Sequence, residues 1–192
     1  VELPIFPLGT VLLPGGLLPL KIFEQRYLEM TKACLRDDSE FGVCLIRQGR
    51  EVGAPAVPAE VGCTARIRDW DMPHAGIFVL LAEGGTRFRL GARRVDARGL
   101  IIGEIEPLPQ LDAAARPPEY ERCAAALRAL AGRDGAGRLP EPLRYDDAAW
   151  LGYRLAERLP LAPAVRQKLL ETDSADLLLG LIGRLLGDAR PR

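Results

Sequence analysis

Histidine occurs once in the 192 residues, at position 74, serine twice, at 39 and 174, and lysine three times, at 21, 32 and 168. These scarcities remove most routes to catalysis. A Ser-Lys protease needs a serine beside a buried lysine, yet Ser39 sits in an acidic stretch and Ser174 at a helix start. Neither lies in a G-x-S-x-G elbow. No G-x-x-x-x-G-K-[ST] loop is present to cradle phosphates, which excludes an ATPase motor from this chain. His74 follows Asp69, Asp71 and Pro73, and a His-Asp pair can act as a general base. With Gly76 behind it and no nucleophile to serve, the segment reads as a hairpin loop between strands. No catalytic residue is assigned, and the chain is expected not to be an enzyme.

Net charge is also lacking. Acidic and basic residues balance at 26 each, so no overall field gathers nucleic acid or anionic lipid at the surface. The four cysteines, Cys34, Cys44, Cys63 and Cys123, form no C-x-x-C pair and have one histidine for company. A zinc site is therefore not expected, nor any other cofactor. Each thiol reads as a small core side chain in a reducing cytoplasm. The uncharged run Leu3 to Leu20 has 18 residues, close to a membrane span. However, Pro4, Pro7, Pro14 and Pro19 with Gly9, Gly15 and Gly16 would break a helix repeatedly, and no basic region precedes it. A soluble protein is expected.

The composition that remains is globular: 48% hydrophobic and 27% charged residues, enough to bury a core without a staple. Leu3 to Leu8 and Leu17 to Ile22 read as short proline-punctuated strands joined through the turn Pro14, Gly15, Gly16. Phe23, Tyr27, Met30 and Cys34 then fall on one face of a helix, with Glu24, Arg26 and Lys32 left for solvent, and Asp37, Asp38 and Ser39 end it. Phe41 to Arg47 reads as a strand buried on both faces. Val61, Cys63, Ala65 and Ile67 alternate with Thr64, Arg66 and Arg68, Ile77 to Ala82 is an apolar run, and Thr86 to Leu90 alternates again. Ile101 to Glu106 closes the β-rich part.

After Pro107 the texture changes. Pro117 and Pro118 suit the start of a helix over Glu119 to Ala131, ended by Gly132, and a Gly- and Pro-bearing loop runs to Pro142. Asp146 or Asp147 can cap a helix through Leu159 in which Leu151, Leu155 and Leu159 line one side. A third helix begins near Ala164. Asp173 or Ser174 can cap a last one carrying Leu178, Ile182 and Leu185, before Gly187 and a polar tail. The reading is α+β, with a β-rich domain over 1–108 and a helical domain over 117–188.

Residues 3 to 30, LPIFPLGTVLLPGGLLPLKIFEQRYLEM, carry a sharper signal. The string resembles the opening of the Lon protease substrate-binding domain family, in which an L-P-x-F-P-L strand, a P-G-G turn, an L-P-L strand and an I-F-E-x-R-Y helix follow in that order. FGVCLIRQGREVG at 41 to 53, GCTARIRDW at 62 to 70, GGTRFRL at 84 to 90 and the later LAERLPLAPAVRQKLLE continue the resemblance. It implies an irregular, PUA-like β-barrel with one helix, followed by a helical bundle. It also implies capture of unfolded or damaged protein segments, with a protease as a further partner.

Two surfaces are candidates. The turn Pro14, Gly15, Gly16 with Leu12, Leu13, Leu17 and Leu18 is expected to bind apolar polypeptide. Strand alternation lets about half of the leucines face outward there. The alternative is RNA binding through Arg87, Arg89, Arg93, Arg94 and Arg98, five cations with only Asp96 among them. Against it, Arg87 and Arg89 read as the solvated face of a strand, with no aromatic interleaved to stack bases. A dedicated adaptor for one protein partner is the third possibility. Nucleic acid and membrane are not expected as partners.

Overall fold

The β-rich half forms one six-stranded sheet built from Glu2–Leu8 (β1), Leu17–Ile22 (β2), Phe41–Gln48 (β3), Val57–His74 (β4), Ile77–Val95 (β5) and Ile101–Pro107 (β6), with the helix Gln25–Asp37 (α1) between β2 and β3. The computed structural model describes residues 1–132 and 139–188. Two compact units divide the chain, Val1–Leu108 and Pro109–Arg192.

In the first unit the hydrogen-bonded strand order is β2-β5-β4-β3-β1-β6, and β6 also pairs with β5. All pairs are antiparallel except β1 with β3, where Ile5 to Leu8 run beside Gly42 to Leu45. The neighbours β5, β4, β3, β1 and β6 thus return to β5, and β2 is the addition outside this circuit. β5 makes the arrangement possible. β4 occupies one of its edges from Ile77 to Arg89, and the other edge is shared. Phe78 to Glu83 take β2, and Phe88 to Val95 take β6.

The changeover falls at Gly84. Its N–H donates to the Gly16 carbonyl at 2.8 Å and its own carbonyl accepts from the Gly15 N–H at 2.7 Å, while the Gly16 N–H closes the turn on Leu13 O at 2.9 Å. Gly15 supports this with a φ of 69°, which a side chain would resist. A Cβ on Gly84 would stand 2.2 Å from the Leu13 carbonyl oxygen, so the Leu13–Gly16 turn and the middle of β5 require glycine to meet.

The core of this unit is apolar and layered against α1. Phe6, Leu8, Leu12, Ile22, Tyr27, Met30, Phe41 and Leu80 share one cluster, with the Phe6 and Tyr27 rings stacked at 4.0 Å between centroids. Ile5, Cys44, Phe88, Leu90 and Ile101 form a second. Tyr27, Met30 and Cys34 face inward along α1 as their spacing predicts.

Three expectations are corrected. Phe23 lies before α1, whose first residue is Gln25, and Glu24 holds an extended φ, ψ of −77°, 137°. Phe23 is therefore off the buried helical face and 52% exposed. Arg26 is buried instead of solvated: its guanidinium donates to Gly99 O at 3.1 Å and to Glu24 at 3.0 Å, and it covers the Tyr27 ring at 4.7 Å. Asp69 to Pro73 are not a loop. They extend β4 to His74, which pairs with Ile77 across a tight end, and register shifts between Ile67 and Asp69 and between Asp71 and His74 accommodate the aspartates and the proline.

Among its described residues the second unit contains four helices, Tyr120–Ala131 (α2), Ala148–Arg158 (α3), Pro163–Leu170 (α4) and Ala175–Asp188 (α5). The Asp147 side chain caps α3 by accepting from Trp150 N at 2.9 Å, and Ser174 Oγ accepts from Leu177 N at 3.1 Å at the start of α5. Pro163 opens α4 where its missing N–H costs nothing. Leu151, Leu155, Leu159, Leu178 and Ile182 are buried as their spacing predicts, and Leu185 is half-buried. Of the loop expected over Gly132 to Pro142, residues 133–138 lie outside the described residues, as does the tail at 189–192. No helix among the described residues is long and apolar enough to cross a membrane.

Candidate functional site

The 12–18 segment divides at its turn. Leu12 and Leu13 are buried, at 4% and 0% exposure. Leu12 joins the core cluster, and Leu13 lends its carbonyl to the Gly16 N–H. Gly16 is buried, and Pro14 and Gly15 are half-buried. Of the candidate stretch, with about half of its leucines expected to face outward, Leu12 and Leu13 are interior and the glycine turn bonds to Gly84. What remains accessible is Leu17, 45% exposed, and the half-buried Leu18.

The surface continues along β2 instead. Leu18, Leu20 and Ile22 stand opposite Ala82, Leu80 and Phe78, which are core residues, so this side of β2 faces inward. Leu17, Pro19 and Lys21 stand opposite Glu83, Leu81 and Val79 and face outward. One strand further, Asp69 is opposite Leu81 and Asp71 opposite Val79. The outer face therefore carries an apolar strip, Leu17, Pro19, Val79 and Leu81, with aspartates on its β4 border. Trp70 is on the inward side, where its ring meets Phe78 at 5.6 Å and half of it remains exposed.

β2 has one edge on β5; the other borders a cavity of about 350 Å³ lined by Phe6, Leu18, Leu20, Phe23, Tyr27 and Val52, with Glu24 and Glu51 among its walls. Phe23 and Val52 are both more than half exposed. Burial pushes the Tyr27 phenol up to about 12 against the pull of Arg26, and the Glu24 and Glu51 carboxylates add to the rise. Because Gly84 N bonds Gly16 O one step before β2 begins, the residues that exchange backbone bonds with β5 are Leu18, Leu20 and Ile22. Leu17, Pro19 and Lys21 turn theirs to the outer edge. Proline at the centre of that edge has no N–H to give, which blunts it against an added strand. The cavity and the strip are suited to receiving side chains rather than extending the sheet.

The five arginines are dispersed. Arg87, expected on a solvated strand face with Arg89, is 5% exposed. It stands opposite the fully buried Cys63 of β4, a member of the core cluster, so the side of β5 that it takes is covered and alternation does not bring it to water. Arg89 is exposed but paired in register with Glu106. Arg94 makes a forked ion pair with Glu2, one arm of it 3.1 Å long. Arg93 stands opposite Gly103. Arg98 lies on the turn organised by Asp96, whose carboxylate accepts from Arg98 N and Leu100 N. Its charge helps, after Lys32, to hold the Glu29 carboxyl of α1 low. The structure brings no continuous cationic track together from these residues.

His74 is exposed at the end of the β4–β5 ribbon. Burial raises the Cys34 thiol and pushes Cys44 up to about 12 and Cys123 to about 11. Among the described residues no group of three or more His, Cys, Asp or Glu side chains is placed to hold a metal ion. Phe23, Val52, Val79 and the aspartates of β4 are the site residues that sequence reasoning missed. They come from separate strands and loops: the β5–β4 register places Val79 beside Asp71 and Leu81 beside Asp69, and the cavity brings Phe23 and Val52 together.

A family model described as the ATP-dependent protease La (LON) substrate-binding domain matches residues 2–188. Lon protease 2 of Myxococcus xanthus is 34% identical over 90 residues, which is 46% of this chain and 11% of that protein. The Lon protease of Anaeromyxobacter dehalogenans (strain 2CP-C) is 32% identical over a stretch of the same length and coverage. The matched part is thus about a ninth of either relative's own length. Among solved structures, the Lon N-terminal domain protein from Xanthomonas campestris superposes with a TM-score of 0.79 at 37% identity, covering 100% of this chain and 99% of that one. The N-terminal domain of the Mycobacterium avium complex Lon protease shares the fold, with a TM-score of 0.69 at 17% identity over 99% of this chain and all of that one.

Proposed function

The chain belongs to the ATP-dependent protease La (LON) substrate-binding domain family, and from that premise we propose that it is a non-enzymatic module that binds exposed apolar polypeptide at the surface around β2. The observation that carries the reading is the grouping of Leu17, Phe23, Val52 and Val79, each between 43% and 56% exposed, around one strand and the cavity beside it. Apolar side chains left in water at this density are what a surface for unfolded protein needs, since each Å² of apolar area removed from water contributes about 25 cal/mol. The blunted edge at Pro19 favours reversible side-chain capture over strand addition, which would commit the client to the sheet.

The two units serve as a β-rich domain over 1–108, its circuit of strands read as an irregular barrel, and a helical domain over 117–188. Four buried cysteines that form no disulfide fit a reducing cytoplasm. Delivery of the captured segment to a protease is the role the family suggests. RNA binding finds no support in a cluster whose first member is buried and in which Arg89, Arg94 and Arg98 stand near Glu106, Glu2 and Glu29, leaving Arg93 opposite Gly103.

The test is binding of a permanently unfolded, thiol-blocked model protein, compared with the same protein folded. Saturable binding of the unfolded form alone is expected; no difference between the two forms would contradict the proposal.

A further inference from the structure

Resting on that reading, we infer that the segments received around β2 are apolar segments that carry basic residues. The apolar surface has carboxylates on both sides. Asp69 and Asp71 stand one strand away from Leu81 and Val79 on the outer face, and strand spacing brings them within about 5 Å of that strip. Glu24 and Glu51 line the cavity on the other side. Of the neighbouring charges, Glu83 is matched by Arg68 at 3.0 Å and Glu24 by Arg26 at 3.0 Å.

That leaves Asp69 and Asp71 on the β4 border, while Glu51 shares the cavity wall with Lys21 and follows the exposed Arg50 in the chain. Each of the three carboxylates accepts a backbone N–H, from Trp70, Met72 and Gly9 respectively, and these bonds fix their positions without cancelling their charge. The β4 border of the strip that takes apolar side chains is therefore negative in a chain whose net charge is zero. An acidic or phosphorylated segment would meet like charge there, whereas lysine or arginine beside the apolar residues would meet carboxylates held ready.

Two fluorescent peptides with the same apolar centre, one flanked by lysines and one by aspartates, separate the possibilities when titrated with the full chain. The lysine-flanked peptide is expected to bind about tenfold more tightly at low salt, with the gap narrowing as salt rises. The gap should largely close in the Asp69→Asn, Asp71→Asn double variant, whose amide oxygens keep the backbone bonds. Equal binding of the two peptides, or an unchanged preference in the double variant, overturns the charge inference and leaves apolar capture intact. Failure of both peptides to bind overturns the capture reading with it.

Discussion

The amide of Gly84 and the carbonyl of Gly16 meet at 2.8 Å, and this bond sets where β2 begins and which of its residues face outward. It also explains why the P-G-G segment is structural: the turn anchors the added strand to the point where β5 changes partners. A Gly84→Ala substitution would drive a methyl group to 2.2 Å from the Leu13 carbonyl. The expected cost is about 1–3 kcal/mol or more, as for other overpacked sites, read as a lowered denaturant midpoint, together with weaker polypeptide capture because β2 is displaced. Wild-type stability in this variant would show that the contact is not fixed.

The elements were partly legible, and their order in the sheet was not. The strands β1, β2, β3 and β6, the helix α1 and the four later helices follow from periodicity and capping residues, because Tyr27, Met30 and Cys34 or Leu151, Leu155 and Leu159 repeat at the helical spacing whatever surrounds them. Phe23 has the same spacing to Tyr27 and misled for that reason: the helix begins two residues later, and no periodicity encodes its boundary. The D-W-D-M-P stretch looks like a loop because aspartate and proline disfavour strands, and only pairing with β5 supplies the bulges that admit them. Arg87 illustrates the same limit, since alternation predicts which side of a strand a residue takes but not whether that side is covered. The candidate surface was legible at Leu17 and Leu18 alone, as its other members meet through long-range register.

Glu157 makes stability depend on pH in the helical unit. Burial raises its carboxyl from the ordinary 4.5 to about 7, against the pull of Arg154, Arg158 and Arg166; Arg154 is 2.9 Å away. The folded chain therefore holds this proton more tightly than the unfolded one. Its contribution is fully present below about pH 4.5 and is lost as pH rises through 7. Urea midpoints measured between pH 5 and 8 should fall less steeply in Glu157→Gln than in the parent. Parallel curves for the two proteins would contradict the assignment.

RNA binding should be negligible at physiological salt. Phosphate contacts would give a steep decline of affinity with salt, with a log-log slope set by the number of neutralised charges. Filter binding of single-stranded RNA across a salt series checks this. Tight, salt-sensitive binding abolished by Arg89→Ala with Arg93→Ala would reverse the ranking of the two functions.

The most direct test of the account sets two kinds of variant against one unfolded, thiol-blocked client, with affinity and melting temperature measured on the same samples. Leu17→Ser with Phe23→Ser removes exposed apolar groups and should weaken capture at least severalfold while shifting stability by about 0.5 kcal/mol or less per site. Leu13→Ala removes a fully buried side chain and should cost about 2–5 kcal/mol, with affinity unchanged at temperatures where the variant remains folded. Full client affinity in a folded Leu17→Ser, Phe23→Ser protein would contradict the claim that the β2 surface is where polypeptide is bound.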